Sequence, residues 1–114
     1  MPRNARTSKA GKQKSAEKLR WQIVPWREIE ALAEVFDFGA RKRGERGSHS
    51  WERMGDVREE YFAKIMRHVT AWRLGERSDP ESGRSHLYHA AADLLILAAL
   101  DRAYDRPGTR KKRF

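Results

Sequence analysis

The sequence predicts an all-α fold, a small helical bundle whose third helix lies buried at the centre. Three observations predict it. Apolar residues recur at three- and four-residue spacing in three segments, which is the period of one helix face. Stretches rich in Gly, Pro and Ser separate those segments and read as loops. The chain has 114 residues, enough for one domain.

Residues 1–20 are rich in Lys, Arg, Ser and Gly with few apolar anchors, and read as a disordered basic tail. The folded part is expected over 21–105. Its first helix is predicted from Pro25, which suits a first-turn position, to Arg43, with Trp26, Ile29, Leu32, Ala33, Phe36 and Ala40 as its apolar stripe. Gly44 and Gly47 then mark a loop through Ser50. A second helix is predicted from Asp56 to Leu74. Val57, Tyr61, Ile65, Val69 and Trp72 form its buried face, widened by Phe62 and Met66, and Gly75 is its stop signal. The stretch GERSDPESGRS (75–85) is a loop. Ser85 is a reasonable N-cap for a third helix that ends before Pro107. Between Leu87 and Leu100 this helix is apolar on almost every side, the pattern of a helix buried all round. Residues 106–114 form a second basic tail. Three wide apolar faces exceed what one small chain can cover, so a homo-oligomer is expected to complete the bundle.

The net charge of +9 is unevenly placed. Residues 1–20 hold seven Lys/Arg against one Glu, and 106–114 hold five against none. Residues 21–105 hold thirteen Lys/Arg against fifteen Asp/Glu. Contact with nucleic acid would therefore fall to the tails, without sequence preference. The chain has no cysteine, which excludes disulfides and thiolate ligands. Neither a secretory signal nor an apolar run long enough to span a bilayer is visible, and a cytoplasmic location is expected.

The third helix carries the chemistry. At 100° per residue, His86, His89 and Asp93 fall within about 60° of one another, with Leu97, Leu100 and Tyr104 continuing the stripe. Buried polar groups need partners, and a buried charge needs a counter-charge or a metal. One reading makes the histidines structural and pairs Asp93 with Arg67. The other makes the line a site. Glu76, Asp79 and Glu81 lie just upstream; such oxygen ligands suit Mg²⁺ or Mn²⁺, whereas imidazoles favour Mn²⁺, Co²⁺ or Zn²⁺. His68 falls on the inner face of the second helix, either as a core histidine or as part of the site. Glu30, Glu34 and Asp37 on the first helix are a solvated face or a second ligand set. Trp51 and Trp72 either pack or stack on a base, and the RKR run at 41–43 is a solvated helix end or a phosphate contact. There is no Gly-rich phosphate loop, no HExxH and no nucleophile elbow, which leaves metal-activated water as the most economical chemistry.

At these residues the sequence resembles the N-terminal domain of the phage and prophage dATP/dGTP diphosphohydrolases. That family's pattern runs Gly-Ala-x-Lys-Tyr-Gly, Asn-Trp, Arg-His with Ala-Trp and Gly-Glu, Asp-Pro-Glu-Ser-Gly, and His-Leu-x-His-Ala. The corresponding segments here are FDFGARKRG (36–44), SW (50–51), RHVTAWRLGE (67–76), DPESG (79–83) and HLYHAAADLL (86–95). Arg43 and Ser50 stand where the family has Tyr and Asn. The resemblance implies hydrolysis of a purine deoxynucleoside triphosphate to monophosphate and pyrophosphate, which would adjust a phage or host nucleotide pool. It also looks akin to MazG-like all-α pyrophosphohydrolases, whose ExxE and ExxD ligand helices do not map onto the HxxHxxxD pattern here.

The expected enzyme uses His68, Glu76, His86 and His89 as catalytic groups. A divalent metal would be held among Asp79, Glu81, His86, His89 and Asp93. Lys42, Trp51, Arg67 and Trp72 would bind the deoxynucleoside triphosphate. The rival expectation is a non-catalytic nucleotide sensor, or a nucleic-acid-binding module acting through its tails.

Overall fold

The apolar periodicities become three α-helices: α1 (Trp26–Lys42), α2 (Arg58–Arg73) and α3 (His86–Tyr104), with a 3₁₀ turn, Trp21–Ile23, before α1. The computed structural model describes residues 18–44 and 55–104. The expectations for both tails beyond that range, for Gly47 and Ser50, and for Trp51 therefore fall outside the described residues.

Local chemistry sets the helix ends. The Pro25 carbonyl accepts the Glu28 and Ile29 amides at 3.0 and 3.1 Å and opens α1. Glu28 in its first turn and Arg41 and Lys42 in its last complement the helix dipole. At the end of α2, the Glu76 amide bonds to the Ala71 carbonyl at 2.9 Å and the Gly75 amide to that of Trp72 at 3.0 Å. This paired closure needs a left-handed residue between, and Gly75 supplies it at φ 110°. The α3 start is capped by Ser85, whose Oγ accepts the Leu87 amide at 3.0 Å.

α2 and α3 pack as an antiparallel pair. Arg58 at the start of α2 meets Asp101 near the end of α3, and His68 near the end of α2 meets His86 at the start of α3. α1 lies across α3, with Phe38 edge-on to His89 at 6.1 Å. Tyr61, Ile96 and Leu100 form the core cluster, and Phe36, Val57 and Leu97 close around it. Full burial of such side chains is worth roughly 1.5–3 kcal/mol each.

Two packing expectations are corrected. α3 is central, but it is not buried all round: Leu87, Leu94 and Leu95 are exposed, because two neighbouring helices cannot enclose a third. The buried face of α2 is turned relative to expectation. Arg58, Tyr61, Ile65 and His68 share the inward side, whereas Phe62, Met66, Val69 and Trp72 are exposed. Arg58 explains the rotation. It is only 1% exposed, its guanidinium reaches Asp56 and Asp101 at 3.0 Å each, and it stacks over Tyr104 at 4.0 Å. A buried cation left without those partners would be far costlier than an exposed Phe62. On α1 the stripe holds at its C-terminal half, through Phe36 and Ala40 joined by Val35, while Trp26, Ile29 and Ala33 remain exposed. Trp26 instead stacks beside Trp21 at 6.3 Å and donates its indole N–H to the Trp21 carbonyl.

Candidate active site

Where α1, α2, α3 and the loop between α2 and α3 converge, they leave a cleft of about 510 Å³. Of the expected site residues, Lys42, Arg67, His68, Asp79, Glu81, His89 and Asp93 line it. His86 does not. It is 4% exposed and lies behind the wall, its Nδ1 2.8 Å from that of His68. Glu76 sits behind His86 at the rim. Trp72 is exposed and lies away from the cleft.

The loop is built around Asp79. Its Oδ2 accepts the amides of Glu81 at 3.1 Å and Ser82 at 3.0 Å, and its carbonyl accepts the Gly83 amide at 2.7 Å. Pro80 supplies the fixed φ of such a turn, and Gly83 the left-handed exit at φ 74°. The Asp79 amide bonds to the Arg84 carbonyl and the His86 amide to the Arg77 carbonyl. The DPESG motif is therefore a turn folded onto its own first carboxylate, which carries that carboxylate to the imidazoles.

Those imidazoles are held individually. His68 Nδ1 lies 2.8 Å from His86 Nδ1, and His86 Nε2 lies 2.7 Å from Glu76 Oε1. His89 Nε2 lies 2.7 Å from Ser82 Oγ, and its ring stacks on His68 at 4.7 Å. One donor atom each from His68, Asp79 and His86 lies within 4.8 Å of the other two. Two imidazoles and a carboxylate at that separation fit a divalent transition metal. Of the remaining expected ligands, His89 bonds to Ser82, Glu81 pairs with Lys42 at 2.8 Å, and Asp93 lines the cleft outside this trio.

The electrostatics favour lone pairs at this end. Burial, with the neighbouring His89 and His86, pushes His68 down to about 4. Burial likewise lowers His89, although Asp79 opposes the shift. Burial works against ionisation of Asp79, but the Ser82 amide, His89, His68 and the Glu81 amide outweigh it and hold the carboxyl below its ordinary range. Asp93 behaves oppositely: burial raises it to about 6 despite Lys64, Arg43 and Arg67. The ion pair between Arg67 and Asp93 that the structural reading offered does not form as a contact; Arg67 acts on Asp93 through its field.

Three residues at or beside the cleft, Lys64, Ser82 and Tyr61, were given no role there by sequence reasoning. Lys64 lies one helical turn before Arg67 and His68, a spacing that could have flagged it. Arg43, read within the RKR run as a solvated helix end or a phosphate contact, lines the cleft. Gly39 lies beside it: a Cβ there would meet the Arg43 guanidinium at 3.4 Å, an ordinary van der Waals contact. Ser82 lay inside a recognised motif without a role. Tyr61 was assigned to the core, and it is 2% exposed, but among the described residues its hydroxyl has no hydrogen-bond partner, and the residue borders the cleft. The acidic residues of α1 are an exposed face: Glu34 pairs with Arg84 at 2.6 Å and Asp37 with Arg41 at 2.8 Å.

The sequence profile of the family described as dATP/dGTP diphosphohydrolase, N-terminal, matches residues 8–109. Comparison with curated proteins and with solved structures gives no match. Among the described residues no helix is long and apolar enough to cross a membrane.

Proposed function

The chain belongs to the dATP/dGTP diphosphohydrolase N-terminal family, and from that premise we propose that its cleft hydrolyses a purine deoxynucleoside triphosphate to monophosphate and pyrophosphate with a divalent metal. The observation that carries this reading is the convergence of His68, His86 and Asp79 beside four cations, Lys42, Arg43, Lys64 and Arg67, in one cleft.

His68, His86 and Asp79 would hold the metal. Such an ion, when bound, neutralises triphosphate charge and acidifies a water. Arg43, Lys64 and Arg67 stabilise the charge that develops on the phosphate oxygens. Lys42 exchanges Glu81 for a phosphate oxygen. Asp93, held at about 6 by burial, is poised to accept the proton of the attacking water near neutral pH. The water oxygen bonds to the α-phosphorus, and the bond to the bridging oxygen breaks with pyrophosphate leaving. His89, held by Ser82, braces His68 by stacking.

The exposed Phe62 and Leu94, which line a second groove of about 410 Å³ with Leu97 and Ala98, support assembly of the chain with copies of itself. Sedimentation of the pure protein checks this.

Purified protein incubated with each deoxynucleoside triphosphate and Mg²⁺, Mn²⁺ or Co²⁺ should release pyrophosphate, most of all from the purine substrates. No release under any combination would overturn the reading.

A further inference from the structure

The arrangement Glu76–His86–His68 constrains where the protons sit. An ionised carboxylate only accepts hydrogen bonds. Glu76 Oε1, 2.7 Å from His86 Nε2, therefore requires a proton on that nitrogen. In the neutral ring this leaves His86 Nδ1 with its lone pair. The 2.8 Å contact between the two Nδ1 atoms needs one proton, and only His68 can then supply it. The metal-free protein is thus described by one tautomer for each ring: Nε2–H for His86 and Nδ1–H for His68. The downward push on His68 agrees with a neutral ring there.

A ligating histidine commonly donates its other N–H to a carboxylate, which fixes its tautomer and raises its basicity. Glu76 stands in that relation to His86, and the lone pair it exposes points at His68, beside Asp79. We propose that Glu76 is a positioning residue that presents His86 Nδ1 as a metal ligand, and that His68 covers this ligand with its Nδ1–H until a metal arrives. On binding, His68 gives up the Nδ1 proton and takes one at Nε2, so that both Nδ1 atoms face the ion. The ring stays neutral throughout, and the His86 tautomer does not change.

The proposal rests on the metal reading above, but not on catalysis. Its position makes it accessible to experiment. The Glu76 side chain is 55% exposed and its backbone is set by Gly75, so changing it should leave the fold intact. The test is the imidazole ¹⁵N spectrum of the full chain, without metal and with Zn²⁺, together with Zn²⁺ affinity by calorimetry. Without metal, His68 should carry its proton on Nδ1 and His86 on Nε2. Zn²⁺ should move the His68 proton to Nε2 and leave that of His86 in place. Glu76→Ala should mix the His86 tautomers and weaken Zn²⁺ binding about 10- to 100-fold. Glu76→Gln keeps a carbonyl acceptor and should restore part of both. The proposal is overturned if metal-free His68 is protonated on Nε2, if Zn²⁺ leaves its tautomer unchanged, or if Glu76→Ala with an unchanged melting temperature binds Zn²⁺ as the natural protein does. Tautomers and affinity as expected with no hydrolysis would retire the diphosphohydrolase reading and leave this one standing.

Discussion

The two ends of the α2–α3 pair bury charge in opposite ways. At one end Arg58 is sealed from solvent and fully answered: Asp56 and Asp101 meet its nitrogens and Tyr104 covers its face. At the other, Asp93 and Tyr61 line an open cleft. Among the described residues the buried Tyr61 hydroxyl has no hydrogen-bond partner, and Asp93 feels Lys64, Arg43 and Arg67 only through space. A paired buried charge is finished chemistry and serves the fold. An unanswered one keeps a cost that only a proton or a ligand removes. On the function proposed above, the first end serves the fold and the second is the site.

Breaking the finished end should have the largest effect. Arg58→Met leaves two carboxylates facing an apolar group and frees α2 to rotate. Its melting temperature should fall on the order of 10 °C by circular dichroism. A fall no larger than that of an exposed-residue change would mean that Arg58 does not set the rotation of α2. At the working end the separation should be cleaner. His68→Gln should lower pyrophosphate release on the order of 100-fold or more, while the melting temperature moves by only a few degrees. Equal losses in both measures would make His68 structural.

Asp93 gives the comparison a sign. Its pKa in the fold is about 6 against the ordinary 3.8, so between these values the folded protein holds a proton that the unfolded chain has released. This carboxyl favours the fold fully below about pH 4, loses that contribution as pH rises through about 6, and is a charge kept at a cost at neutral pH. Asp93→Asn should therefore raise the neutral-pH melting temperature by roughly a few degrees, with the gain shrinking below pH 6, and it should abolish turnover. His68 has the opposite sign. Held at about 4 against 6.5, it contributes stability above about pH 6.5 that is lost as pH falls through 4. The smallest effect is expected at Trp72, exposed and outside the cleft. Trp72→Leu should leave KM within about twofold, as for an ordinary surface change; a large rise in KM would restore a base-stacking role.

The legible part of the molecule was local. Period, Pro25, Gly75 and Ser85 placed three helices within a residue or two of their ends, and the DPESG and HLYHA motifs marked the loop and the start of α3 that border the cleft. The rotation of α2 was not legible. Phe62, Met66, Val69 and Trp72 are as apolar as Tyr61 and Ile65, and the choice between the faces was made by Arg58, whose partner Asp101 lies forty-three residues away. The same limit applied to the site. A helical wheel put His86, His89 and Asp93 in one line, but it could not show that His86 would turn back to Glu76 and His68 while His89 and Asp93 faced the cleft. Lys64, Tyr61 and Ser82 went unread because their roles arise only when three helices and a loop meet.

The central claim, that the end of the helix pair carrying unanswered groups is a metal and nucleotide site, is tested most directly by anomalous scattering. Crystals grown with Mn²⁺ and a non-hydrolysable purine deoxynucleoside triphosphate should show one strong peak within bonding distance of His68, His86 and Asp79, with phosphate density reaching Arg67. A peak elsewhere, or no peak while the three side chains keep their metal-free bonds, would contradict it.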